Sequence, residues 1–147
     1  MIYAQNTAHL TVINPQSVGT TAVTGVIDTW SHDHVEILTM LDTAATSVTI
    51  TTLKLSEGDT TSAYTDITEF TGGTATGNFT LPTGPGTAAG TGQIIVFDVD
   101  KRKRKRYLRV SLANSAGRLS CVTANLSRSR QVPNTDDERG AEVVVYG

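Results

Sequence analysis

An antiparallel all-β sandwich or jelly roll, built as one domain, is the fold class that this sequence predicts. Three observations predict it. Threonine is unusually abundant, 25 of 147 residues, and joins Val and Ile in short apolar runs of the kind that suit pleated, half-buried surfaces. Gly, Pro, Asn or Asp interrupts those runs every ten residues or so, which is the punctuation of strands linked by turns. No window of a dozen residues carries an apolar stripe at helical spacing. A chain of 15.6 kDa suffices for one hydrophobic core and is short for a two-domain enzyme.

In chain order the pattern places strands at 8–13, 20–28, 34–41, 47–55, 63–68, 77–81, 93–99, 106–113 and 119–127. Alternation is clearest from Tyr107 to Leu112, where Leu108, Val110 and Leu112 face one way and Arg109 and Ser111 the other. Val122, Ala124 and Leu126 repeat it after the turn-forming Asn114-Ser115-Ala116-Gly117, so these two strands are expected to pair as a hairpin. Between 47 and 55 the apolar phase slips from Val48 and Ile50 to Leu53 and Leu55, which predicts a bulge or a change of sheet. Residues 71–92 hold seven of the 13 glycines, seven threonines and two prolines. They read as a long loop interrupted by a short strand at Asn78–Leu81. Past Arg130, Pro133 breaks strand pairing and a polar NTDDERG precedes the β-prone Glu142-Val143-Val144-Val145-Tyr146. The expected organisation is a sandwich over 1–133 and a C-terminal arm, or a final strand, over 134–147.

Charge is segregated along the chain. Residues 1–100 carry ten acids and the single base Lys54, residues 101–130 carry ten bases and no acid, and residues 131–147 carry four acids and Arg139, for a net −2. This suits self-association or docking on a charged partner better than uniform nucleic-acid binding. The densest feature is the run Lys101, Arg102, Lys103, Arg104, Lys105 and Arg106. It reads as a solvated turn and edge strand, or as a patch that docks on an acidic protein surface. Aromatic residues do not interleave it, which argues against nucleic acid as the partner. Its expected counter-charges are Asp136, Asp137 and Glu138 or acids of a neighbouring subunit, while Val143, Val144 and Val145 are the expected contacts of the arm.

Signals for chemistry are sparse. His32, His34 and Glu36 recur at alternate positions and could share one strand face, as metal ligands or as surface side chains. His9 has no nearby nucleophile, so a triad would have to be assembled by the fold. Gly84, Gly86 and Ala89 match a dinucleotide-loop spacing, but a strand follows where a helix is needed. Lone Cys121 excludes an intrachain disulfide. No catalytic residue, metal or cofactor is expected. No segment reaches the roughly 18 apolar residues of a membrane span and the first residues lack a signal-peptide pattern, so the chain is expected to be soluble.

The segment DTWSHDHVEILTMLDTAATSVTITTLKLSEGDTTSAYTDI, from Asp28 to Ile67, together with Arg106-Tyr107-Leu108-Arg109 and a paired strand ending near Arg128, Arg130 and Pro133, resembles small structural proteins of tailed bacteriophages and prophages. Their pattern runs Asp-Thr-x-Gly-Tyr-Asp, an aliphatic strand, a Leu-x-Leu-x-Glu-Ser strand and later Arg-Tyr-Leu-Arg. Here Ser31 and His32 stand in place of Gly and Tyr. The likeness spans about two thirds of the chain. It implies a non-enzymatic virion protein: a capsid decoration or cement protein that contacts the major capsid protein and other virion subunits as a homo-oligomer, in the host cytoplasm during assembly. A head-completion, tail or baseplate component is the alternative it leaves. A ligand-binding sandwich is the other class, poorly supplied by a chain only 5% aromatic.

Overall fold

The computed structural model describes residues 7–43, 48–82 and 92–129. Eight strands account for most of these: β1 (Thr7–Val18), β2 (Val23–Asp28), β3 (His32–Leu41), β4 (Ile50–Gly58), β5 (Thr65–Thr71), β6 (Gln93–Asp100), β7 (Tyr107–Asn114) and β8 (Arg118–Ser129). Among the described residues the only helical element is a single 3₁₀ turn, Lys101–Lys103. The strands form two four-stranded antiparallel sheets, β1-β8-β3-β6 and β2-β7-β4-β5. The expected sandwich is therefore what the chain forms, and its strand order is that of an eight-stranded jelly roll. The pairs β1·β8, β2·β7, β3·β6 and β4·β5 nest like a long folded ribbon that has been rolled so that successive pairs fall in alternate sheets.

That nesting overturns the expected hairpin. β7 pairs with β2 and β4, and β8 pairs with β1 and β3, so the turn at 115–117 carries the chain from one sheet to the other. The side-chain reading survives, because Leu108, Val110, Leu112, Val122 and Ala124 are fully buried and Leu126 is nearly so. Alternation reports which face is inward. It does not report which strand lies alongside. Buried Asn114 fixes the crossover by donating from Nδ2 to the Val18 carbonyl at 3.0 Å, while its backbone N–H donates to Gly19 O at 2.9 Å.

The core lies between the sheets, with Val35, Ile37, Phe97 and Val99 from one side and Ile27, Leu53, Leu55 and Ile67 from the other. Each fully buried Leu or Ile contributes about 1.5–3 kcal/mol relative to exposure. Phe97 also meets Phe70 and Phe79 at ring-centroid distances of 5.3 and 5.4 Å. The phase slip expected in 47–55 appears as a register shift between Ile50 and Thr52 in the β4·β7 ladder. The strand expected at 77–81 reduces to an isolated bridge between Gly72 and Phe79. At one margin of the sandwich β1 and β2 approach so closely that a Cβ on Gly25 would sit 2.1 Å from the Val12 carbonyl oxygen. Residues 134–147, and the glycine spacing at 84–89, lie outside the described residues.

Candidate functional site: the charged end of the jelly roll

Three links meet at one end of the sandwich: the turn between β2 and β3, the segment between β6 and β7, and the start of the β4–β5 connection. The turn closes through His32 N–H donating to Thr29 O at 3.1 Å, with Ser31 at φ 66°. The Thr29 N–H and hydroxyl both donate to the Arg106 carbonyl, at 3.1 and 2.5 Å. Asp28 accepts a forked pair from Arg106, Nε at 2.9 Å and Nη2 at 2.7 Å, and also the Trp30 N–H at 3.0 Å. The Arg106 hydrogen bond is the main reason why the Asp28 carboxyl titrates below its ordinary value, and Asp28 in turn raises Arg106. The guanidinium lies 4.8 Å from the Trp30 ring centroid and 4.9 Å from that of Tyr107. It is thereby held by charge and by two aromatic faces. Trp30 itself remains 67% exposed.

The rest of the basic run is largely neutralised within the chain. Arg102 forks onto Asp100 at 2.9 and 2.7 Å, a contact that depresses the Asp100 carboxyl strongly. Arg104 pairs with Glu69 and approaches Glu57, with the Phe70 ring 6.0 Å away. Lys105 reaches Asp59 at 3.1 Å, and its backbone N–H donates to Glu57 at 3.0 Å. Among the described residues, Lys101 and Lys103 have no carboxylate within 4.0 Å. The charge segregated along the sequence is thus brought together in space. The opposing acids are Asp28, Glu57, Asp59, Glu69 and Asp100, while Asp136, Asp137, Glu138, Val143, Val144 and Val145 lie outside the described residues.

The outer face of the β1-β8-β3-β6 sheet carries a polar patch. His32 is buried, 7% exposed, with Nδ1 donating to the Trp30 carbonyl at 3.0 Å. His34 and Glu36 are partly exposed, and no group of three potential metal ligands occurs among the described residues. Instead the Ser127 hydroxyl donates to His34 Nδ1 at 2.9 Å, and His34 Nε2 donates to Asp98 at 2.5 Å. Beside them Asn125 bridges His9, at 2.6 Å, and Glu36, at 3.1 Å. This Ser-His-Asp array joins residues that are 93 and 64 positions apart. Nothing in the local sequence signals it, and only the ladder registers His34↔Ser127 and Glu36↔Asp98 bring it together. Acyl transfer also needs N–H donors facing the developing oxyanion. Ser127 sits on an inner strand paired on both sides, with Thr7 and with His34, so the ladder occupies the backbone there.

No protein-family model matches this chain, and no curated protein matches it either.

Proposed function

We propose that this chain is a structural protein of a phage virion, a decoration or cement protein that binds the major capsid protein through the end carrying Trp30, Lys101 and Lys103. One observation carries the reading: the motifs on which the phage resemblance rests form a single physical unit. Asp28 of the first motif grips Arg106 of the last. Leu53 and Leu55 of the Leu-x-Leu-x-Glu strand are buried, and its Glu57 receives the Lys105 N–H. Ser31, which stands where the pattern has Gly, adopts a positive φ that glycine accommodates without strain.

The exposed end supports the same reading. Trp and Arg are residue types enriched in interface hot spots, and here an exposed Trp lies beside a clamped Arg. Lys101 and Lys103 add charge that an acidic shell surface can oppose, and many modest contacts around a symmetric particle reinforce one another. Jelly rolls serve in viral capsids, although they also serve elsewhere, so the fold adds analogy only.

The test is binding of the purified chain to capsids of its source phage, read by cosedimentation and by cryo-EM. Symmetric copies over the whole shell are expected, and Trp30→Ala combined with Lys101→Glu and Lys103→Glu should lower occupancy at least tenfold. A single ring at one vertex would favour the head-completion or tail alternative, and absence from the particle would overturn the virion reading. The Ser127-His34-Asp98 array has the side chains of a hydrolytic triad, but the ladder occupies the backbone N–H donors at Ser127. Labelling of Ser127 by a fluorophosphonate that is lost in His34→Ala would establish a hydrolytic site.

A further inference from the structure

A jelly roll leaves four sheet edges, and three of them here carry devices that prevent strand addition. β1 contains Pro15 and two register shifts against β8. β2 is six residues long and is crowded by β1 at Gly25. β5 is polar at Thr65, Asp66, Thr68 and Glu69, and has a register shift against β4. β6 differs in its first half, where the outward residues are Ile94 and Val96 and the acids Asp98 and Asp100 are confined to the second half. Its sequence QIIVFDVD lacks Pro, Gly and Lys, and it runs eight residues in unbroken register with β3. No strand among the described residues pairs with its other side. Long, regular edges with an uncharged stretch such as Gln93–Phe97 are templates for adding another strand.

The outward side chains of β6 show what fits there. Ile94 and Val96 are 65% and 49% exposed and lie beside Met40 and Leu38 of β3, whereas Asp98 and Asp100 occupy the other half of the strand. In an antiparallel pair of two β6 strands, the pleat admits only registers that set outward residues opposite outward residues. A two-fold axis at Ile95 puts Ile94 of each copy opposite Val96 of the other, twice, and leaves the acids opposite no other acid. An axis at Val96 sets Ile94 against Asp98, and an axis at Val99 sets Asp98 against Asp100. Only the first register brings both exposed aliphatic residues onto aliphatic partners.

We propose that β6 is a self-complementary edge through which two copies of this chain pair antiparallel about Ile95, joining two four-stranded sheets into one of eight. The isologous geometry closes at two copies. The inference does not rest on the capsid reading, since it concerns the free chain, and the residues that would pair, Gln93–Phe97, differ from those at the charged end.

Sedimentation of the full chain over micromolar to millimolar concentration tests it first. Mass should rise toward twice 15.6 kDa, and Val96→Lys should raise the dissociation constant at least tenfold while the melting temperature stays unchanged. A chain that remains monomeric throughout, or a Val96→Lys variant that dimerises like the parent, overturns the proposal. Register is tested in a Cys121→Ser background by mixing an Ile94→Cys chain with a Val96→Cys chain under mild oxidation. The mixture should cross-link, and neither chain should do so alone. Equal cross-linking within either chain alone, or none in the mixture, overturns the pairing about Ile95.

Discussion

Ser31 sits in the left-handed region at φ 66°, a conformation that costs an L-residue roughly 1–2 kcal/mol and glycine almost nothing. Part of that difference returns through the greater freedom of glycine in the unfolded chain. Ser31→Gly should therefore be neutral or stabilising by up to about 1 kcal/mol, and Ser31→Val should be destabilising, both read by urea unfolding. The opposite holds at Gly25, where a Cβ would meet the Val12 carbonyl oxygen at 2.1 Å. Gly25→Ala must push β1 away from β2, and a loss of about 1–3 kcal/mol is expected in the same measurement. Val110 is fully buried, opposite Gly25 and Leu55 in its two ladders, so Val110→Asp would bury a carboxylate without a partner and should abolish the cooperative transition. These three sites differ in how far sequence discloses them. Alternation marks Val110 as inward, whereas Gly25 and Ser31 depend on a β1–β2 approach and a turn conformation that no local pattern specifies.

At the scale of elements, the segment between β6 and β7 is an ion-pair network. The hydrogen bond from Arg106 lowers the Asp28 carboxyl, and that from Lys54 lowers Asp66 on the neighbouring strand pair. The carboxylate is favoured in the folded state, so each pair stabilises fully above the ordinary carboxylate range near pH 4 and is lost as pH falls through the lowered value. Both pairs are about half exposed and screened by solvent, which keeps each contribution small. The melting temperature should be level from pH 7 to about 5 and fall below about 4, and Asp28→Asn should flatten part of that fall. A decline centred near pH 6 would point to histidine instead. The run of six cations was conspicuous in the sequence, but its counter-charges were not. They come from strands and turns scattered between positions 28 and 100, and only the rolled topology gathers them. Strand positions and inward faces were legible for the same reason that strand partners were not: pleating is local, whereas pairing in a jelly roll is decided by distant segments.

The whole molecule shows that non-local character in its topology, because among the described strands β4·β5 is the only pairing between consecutive ones. Loop-closure entropy must be met before the outer pairs β1·β8 and β2·β7 can form, and folding in milliseconds to seconds is expected, with stopped-flow refolding as the check. The same nesting bears on the C-terminal residues. β8, the last of the described strands, lies between β1 and β3 and supplies Val122, Ala124 and Leu126 to the core. Truncation after Pro133 removes none of the eight described strands and should leave the cooperative thermal transition within a few degrees of the full chain. If the residues from 134 onward act as an arm on a neighbouring subunit, the truncated protein should stay folded and bind capsids at least tenfold more weakly. Loss of folding would instead make this segment part of the sandwich, and undiminished attachment would remove it from the binding surface. Separating those outcomes requires melting and cosedimentation on the same preparation, since a destabilised chain and a detached one give the same empty capsid.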